Sequence, residues 1–163
     1  MSEINHEVIA HLNDLVETCK DEEKGFRDAA SRVGKDGDAE LRTLLNLFAQ
    51  QRTEFGAELK NEVLRRGGEP AESGHVSAAF RRGWADLKSA LGSGPDYSDG
   101  GDYEFQILVN CEAGEKAAME NYEHVMKQRL PADLQEIVEN QYVEIRRGRE
   151  QMRLLSTQYK PAA

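Results

Sequence analysis

The sequence predicts an all-α fold: four long helices paired into two hairpins, with one long connection between the hairpins. Three observations predict it. Apolar residues recur three and four positions apart over four separate stretches, the spacing that lines up one face of a helix. No segment alternates apolar and polar residues over a useful length, so strands are not expected. The breaks between stretches are uneven, short around residues 34–38 and 130–131 and long over 67–101. Two short loops and one long one give a four-helix bundle with a single crossover rather than a simple up-down-up-down bundle.

The first helix is expected over 4–33, where Val8, Leu12, Leu15, Val16, Cys19, Phe26, Ala30 and Val33 form the apolar stripe. Gly34-Lys35-Asp36-Gly37 breaks the pattern. Asp38 then suits an N-cap, because its carboxylate accepts from the unpaired amides of the next turn. The second helix, 39–66, carries Leu41, Leu44, Phe48, Phe55, Leu59 and Val63 and is stopped by Gly67-Gly68. Residues 67–101 read as the crossover. GGEPAESGH and GSGPDYSDGG are turn-rich, and Phe80, Trp84, Leu87 and Leu91 mark a short amphipathic helix between them. The third helix, 102–129, carries Phe105, Leu108, Cys111, Ala118, Tyr122 and Val125. Leu130-Pro131 ends it, and Pro131 fits the first turn of a fourth helix over 131–158, with Leu134, Val138, Ile145, Met152 and Leu155 inward. All of 1–163 reads as a single domain able to bury a sizeable core.

Charge and composition limit the partners. The formal net charge of −9 opposes a phosphate backbone. The run Arg146-Arg147-Gly148-Arg149 is short and lies among glutamates, so it reads as a solvated face and no nucleic-acid partner is expected. No apolar run is long enough to span a bilayer. The first residues, MSEINHEVIAHLNDL, lack a basic segment followed by an apolar block. No membrane partner and a cytoplasmic location are therefore expected, with Cys19 and Cys111 as free thiols. No Ser-His-Asp set, phosphate-cradling glycine loop or Cys-x-x-Cys pair occurs.

The chain repeats itself. CKDEEKGF at 19–26 and CEAGEKAA at 111–118 both read Cys, three residues, then Glu-Lys. Laid on one another, the first and third helices match Cys19 with Cys111, Glu23 with Glu115, Ala30 with Tyr122 and Val33 with Val125. The second and fourth match Gln51 with Gln141 and Glu54 with Glu144, so each carries Gln-x-x-Glu with both side chains on one face. Pairing the hairpins about a pseudo-twofold axis is expected to bring Glu23, Glu54, Glu115 and Glu144 together inside the bundle, with Gln51, Gln141 and Tyr122 as neighbours. Di-metal carboxylate bundles are built in this way, from a lone Glu on two helices and Glu-x-x-His on the other two.

Three stretches are distinctive: DEEKGF on the first helix, GGEPAESG…RRGW across the second-helix end and crossover, and GEKAAMENY on the third helix. Through them nearly the whole chain resembles a bacterial ferritin-like four-helix-bundle family of unassigned function, a distant relative of rubrerythrin and ferritin. Glu115 and Tyr122 also match a Glu-x6-Tyr pairing of rubrerythrin-type relatives. The chain departs from the metal-binding pattern where ligands are needed. Gln51 and Gln141 stand where the Glu of Glu-x-x-His belongs, and Glu54 and Glu144 where the His belongs. Glu3-x-x-His6 lies at the chain end and Glu72-x-x-His75 crosses Gly74, so neither is the helical motif. His11 and His124 read as surface residues.

Four converging carboxylates need compensation, because each like-charged neighbour raises a pKa. A metal can supply it, and oxygen ligands alone suit manganese, magnesium or calcium better than iron. Protons shared with Gln51, Gln141 and Tyr122 are a second route. An inward arginine is a third, with Arg52 beside Gln51 and Arg149 aligned with apolar Leu59 as the candidates. The leading functional expectation is a non-catalytic ferritin-like bundle with a degenerate metal site. The resemblance implies a link to stress, and self-association as a twofold dimer is the default for such a bundle. One alternative is a di-metal oxidase or peroxidase with a His-free ligand set. Another is an interaction module that uses the Phe80 and Trp84 face of the crossover helix.

Overall fold

A computed structural model describes residues 2–33, 38–72 and 100–160. Within them the fold is all-helical, with α1 at Glu3–Arg32, α2 at Ala39–Arg65, α3 at Gly100–Met126 and α4 at Ala132–Tyr159. The expected helix bounds lie within a few residues of these. The short helix expected around Phe80 and Trp84 lies outside the described residues.

Local chemistry sets the ends. Ser2 caps α1 by accepting from the Asn5 amide at 3.2 Å. Asp38 caps α2, accepting from the Glu40 amide at 2.9 Å and the Leu41 amide at 3.3 Å. At the other end of α2, Gly67 takes a φ of 77°, which an L side chain rarely adopts. The turn places the Gly68 amide on the Val63 carbonyl and the Gly67 amide on the Leu64 carbonyl, each at 3.0 Å. That pair of bonds is a Schellman motif, and it explains why Gly67-Gly68 is such a firm stop.

Contacts between helices fix their directions. Asn5 Nδ2 donates to the Arg66 carbonyl and Arg42 Nε to the Val33 carbonyl, so α1 and α2 are antiparallel. Tyr122 meets Gln141 while Arg149 meets Glu112, so α3 and α4 are antiparallel as well. The Val8–Cys19 half of α1 packs with the Ala118–Val125 part of α3, and the Phe26–Val33 half packs with Ile107, Leu108 and Cys111. Thus α1 and α3 are antiparallel, and α2 runs parallel to α3. The neighbours are α1 with α2 and α3, and α4 with α3 and, more loosely, α2. The α2–α3 and α1–α4 pairs lie on the diagonals.

Two apolar clusters fill the bundle. One centres on Leu12, Leu15, Leu59, Ala118 and Val138, the other on Phe26, Leu45, Phe48, Leu108 and Met152. Between them lies a charged layer. Among the described residues no helix is long and apolar enough to cross a membrane.

Candidate functional site

The charged layer is built from Arg52 of α2, Glu22 of α1 and Glu115 of α3, which are 0%, 3% and 1% exposed. Each occupies a position that continues its helix's apolar stripe. Glu22 follows Leu15 and Cys19 and precedes Phe26. Arg52 follows Leu45 and Phe48 and precedes Gly56 and Leu59. Glu115 follows Leu108 and Cys111 and precedes Ala118 and Tyr122. Three- and four-residue steps carry all three into the centre whatever their charge.

The arginine joins the two acids. Its Nε donates to Glu22 Oε2 at 3.0 Å and its Nη2 to Glu115 Oε2 at 2.5 Å. Its Nη1 donates to Gln51 Oε1. Three rings enclose the guanidinium, with Cζ 5.6 Å from the Phe26 centroid, 6.0 Å from Phe48 and 5.6 Å from Phe55. Phe26 and Phe48 themselves stack at 5.3 Å. The fourth wall is Gly148 of α4, where an added Cβ would stand 2.7 Å from Glu115 Oε2.

Electrostatics follow from burial. Loss of water alone would pull the Arg52 pKa down, but Glu22 and Glu115 beside it hold it above its ordinary value. Burial, reinforced by the Glu22 charge, pushes the Glu115 carboxyl well up, against the opposing pull of Arg52. Glu22 Oε1 and Glu115 Oε1 are both buried without a hydrogen-bond partner. The fold therefore favours a proton on Glu115 beside the arginine.

A neutral polar tier lies beside the layer. Tyr122 donates its hydroxyl to Gln141 Oε1 at 2.7 Å and lies 3.2 Å from Cys19 Sγ. Gln141 Nε2 donates to the Phe55 carbonyl at 3.3 Å and to Glu58 Oε1 at 2.7 Å. Burial pushes the Tyr122 hydroxyl well up, so it stays protonated. Cys19 and Cys111 are buried free thiols, each pushed by that burial to about 12.

The four glutamates expected to converge do not. Only Glu115 is interior. Glu23 faces outward and pairs with Arg27 at 3.2 Å. Glu54 is exposed, within 3.5 Å of Gln50. Glu144 pairs with Arg147 at 2.8 Å on the surface. The cause is helical phase. One residue is 100° of turn, and the inward positions are Glu22 rather than Glu23, and Arg52 rather than Gln51 or Glu54. The Gln-x-x-Glu motifs align in sequence, yet the buried faces of α2 and α4 match one residue out of that register, with Arg52 opposite Gln141. Tyr122 and Gln141 are buried as expected, but they bond to each other. Of the two arginine candidates, Arg52 is the interior one, while Arg149 pairs with Glu112 at 3.3 Å, partly exposed. His124 is exposed as expected, whereas His11 is half-buried against it, with ring centroids 6.2 Å apart.

These residues do not fit a metal pair. The central cation position is held by a guanidinium, and the rings around it donate no lone pair. Among the described residues no group of three or more His, Cys, Asp or Glu side chains is placed to hold a metal ion.

A sequence-family profile described as a domain of unknown function, DUF2383, matches residues 7–128. No curated protein matches the chain.

Proposed function

This chain belongs to the DUF2383 family of unknown function, and from that premise we propose that it is a non-catalytic ferritin-like bundle whose interior cation is an arginine. One observation carries the reading: Arg52 is fully buried and bonded to Glu22 and Glu115 on two other helices. A guanidinium there supplies the positive charge that a carboxylate-lined bundle interior requires, and no exchangeable ion is needed. The directions of the helices support the ferritin-like part, since a parallel α2 and α3 call for a connection that returns along the bundle.

The site is thus a degenerate one, kept for holding helices together rather than for redox work. A cytoplasmic setting, a role under stress and a twofold dimer belong to the same proposal, the last as the default for such bundles. The His-free di-metal oxidase alternative needs Glu23, Glu54 and Glu144 turned inward; the outward ion pairs of Glu23 and Glu144 and the exposure of Glu54 favour the non-catalytic reading. The interaction-module alternative depends on Phe80 and Trp84, outside the described residues.

Elemental analysis of protein produced in iron- and manganese-replete medium tests the proposal. It predicts no stoichiometric metal; a di-iron or di-manganese stoichiometry overturns it.

A further inference from the structure

The side chains around Arg52 do not suit a metal, and their chemistry states what they do suit. Phe26, Phe48 and Phe55 present rings 5.6 to 6.0 Å from the guanidinium carbon. Ring faces attract diffuse, weakly hydrated cations and offer little to a hard ion. Glu22 and Glu115 close the box with carboxylates, the partners that planar N–H donors fit best. Each keeps one buried oxygen that Arg52 does not reach, so Arg52 leaves polar atoms of the box unpaired. Arginine has five N–H donors, and the guanidinium ion, lacking the alkyl stem, has one more.

The walls of the box come from residues other than the one that fills it. Phe26 and Glu22 come from α1, Phe48 and Phe55 from α2, Glu115 from α3 and the close wall at Gly148 from α4. All four helices set its shape.

We propose that the bundle interior is a binding site for a planar organic cation of the guanidinium class, which the chain fills with its own Arg52. The site keeps that selectivity when the arginine side chain is removed. This rests on the reading that arginine, not metal, is the resident cation.

The test uses the full chain carrying Arg52→Ala. Its thermal unfolding midpoint is titrated with guanidinium far below denaturing concentrations, against sodium at equal ionic strength, with wild type as control. Parallel titrations use Mn²⁺ and Fe²⁺. The proposal predicts a saturable one-site rise in midpoint for the variant with guanidinium, none for wild type, and none with either metal. A rise with Mn²⁺ or Fe²⁺ in place of guanidinium, or no rise with any cation, overturns it. If Arg52→Ala does not fold in sodium buffer, its refolding yield and that of Arg52→Gln read the same property. Recovery with guanidinium alone supports the proposal, and equal failure in both salts overturns it. A negative result overturns this proposal and leaves the non-catalytic reading standing, whereas stoichiometric metal in wild type removes the premise itself.

Discussion

Arg52 Nη2 stands 2.5 Å from Glu115 Oε2 across the diagonal of the bundle. The two residues lie on α2 and α3, helices that share no direct backbone packing among the described residues. A long, forked side chain is what spans that gap, and its Nε holds Glu22 of α1 at the same time. The layer is costly to desolvate, so its net contribution to stability is small while the loss of one partner alone is expensive. That view yields four predictions.

The first concerns pH. Burial raises the Glu115 pKa well above its ordinary 4.5, so the folded state keeps a proton that the unfolded chain releases. Its contribution is therefore fully present below that ordinary value and is lost as pH rises through the folded value, by up to about 1.4 kcal/mol per pH unit. In Glu115→Gln the amide imitates the neutral acid and this loss disappears. Urea unfolding of both proteins across the neutral range checks it. The stability of the variant minus that of wild type should rise with pH; a difference that stays constant or falls contradicts the raised Glu115 value.

The second concerns two glycines. In a helix interior Gly→Ala ordinarily gains about 1 kcal/mol. At Gly56 the new Cβ would meet Cys19 Cβ at an ordinary 3.6 Å, so Gly56→Ala should stabilise. At Gly148 it would meet Glu115 Oε2 at 2.7 Å and Phe48 Cε1 at 3.1 Å, side chains that packing holds in place. Overpacking of this kind costs about 1–3 kcal/mol, so Gly148→Ala should destabilise. Opposite shifts in the urea midpoint are expected.

The third concerns the thiols. Burial, with Glu22 near Cys19 and Glu115 near Cys111, pushes both to about 12. Neither forms appreciable thiolate at neutral pH, and neither is open to solvent. Labelling by a disulfide reagent should wait for unfolding and follow its rate. Fast labelling of either cysteine in native buffer contradicts the buried placement.

The four helices were legible because their stripes are long and their stops are chemically clear. Asp38 caps, Gly67 takes the left-handed turn and Pro131 opens α4. The site was half legible. Glu115, Tyr122 and Gln141 lie on the apolar seam and are buried. Glu23, Glu54 and Glu144 stand out because the repeated motifs align, and motif alignment says nothing of helical phase. The signal that finds the true set is the seam itself. Alternating steps of four and three run through Leu15, Cys19, Glu22 and Phe26 on α1, and through Leu41, Leu45, Phe48 and Arg52 on α2. Charged residues on such a seam are easily passed over, since glutamate and arginine are almost never fully buried unless paired. Their pairing depends on a third helix that no local pattern names.

The central claim is that Arg52, Glu22 and Glu115 share one dry layer, and equilibrium urea unfolding of Arg52→Met beside the triple variant Arg52→Met/Glu22→Gln/Glu115→Gln tests it most directly. Removing only the cation leaves the buried acids without their partner, so the single variant should lose about 3–5 kcal/mol, and replacing both acids by amides should restore most of it. A single variant as stable as wild type, or a triple variant no better than the single one, would contradict the layer.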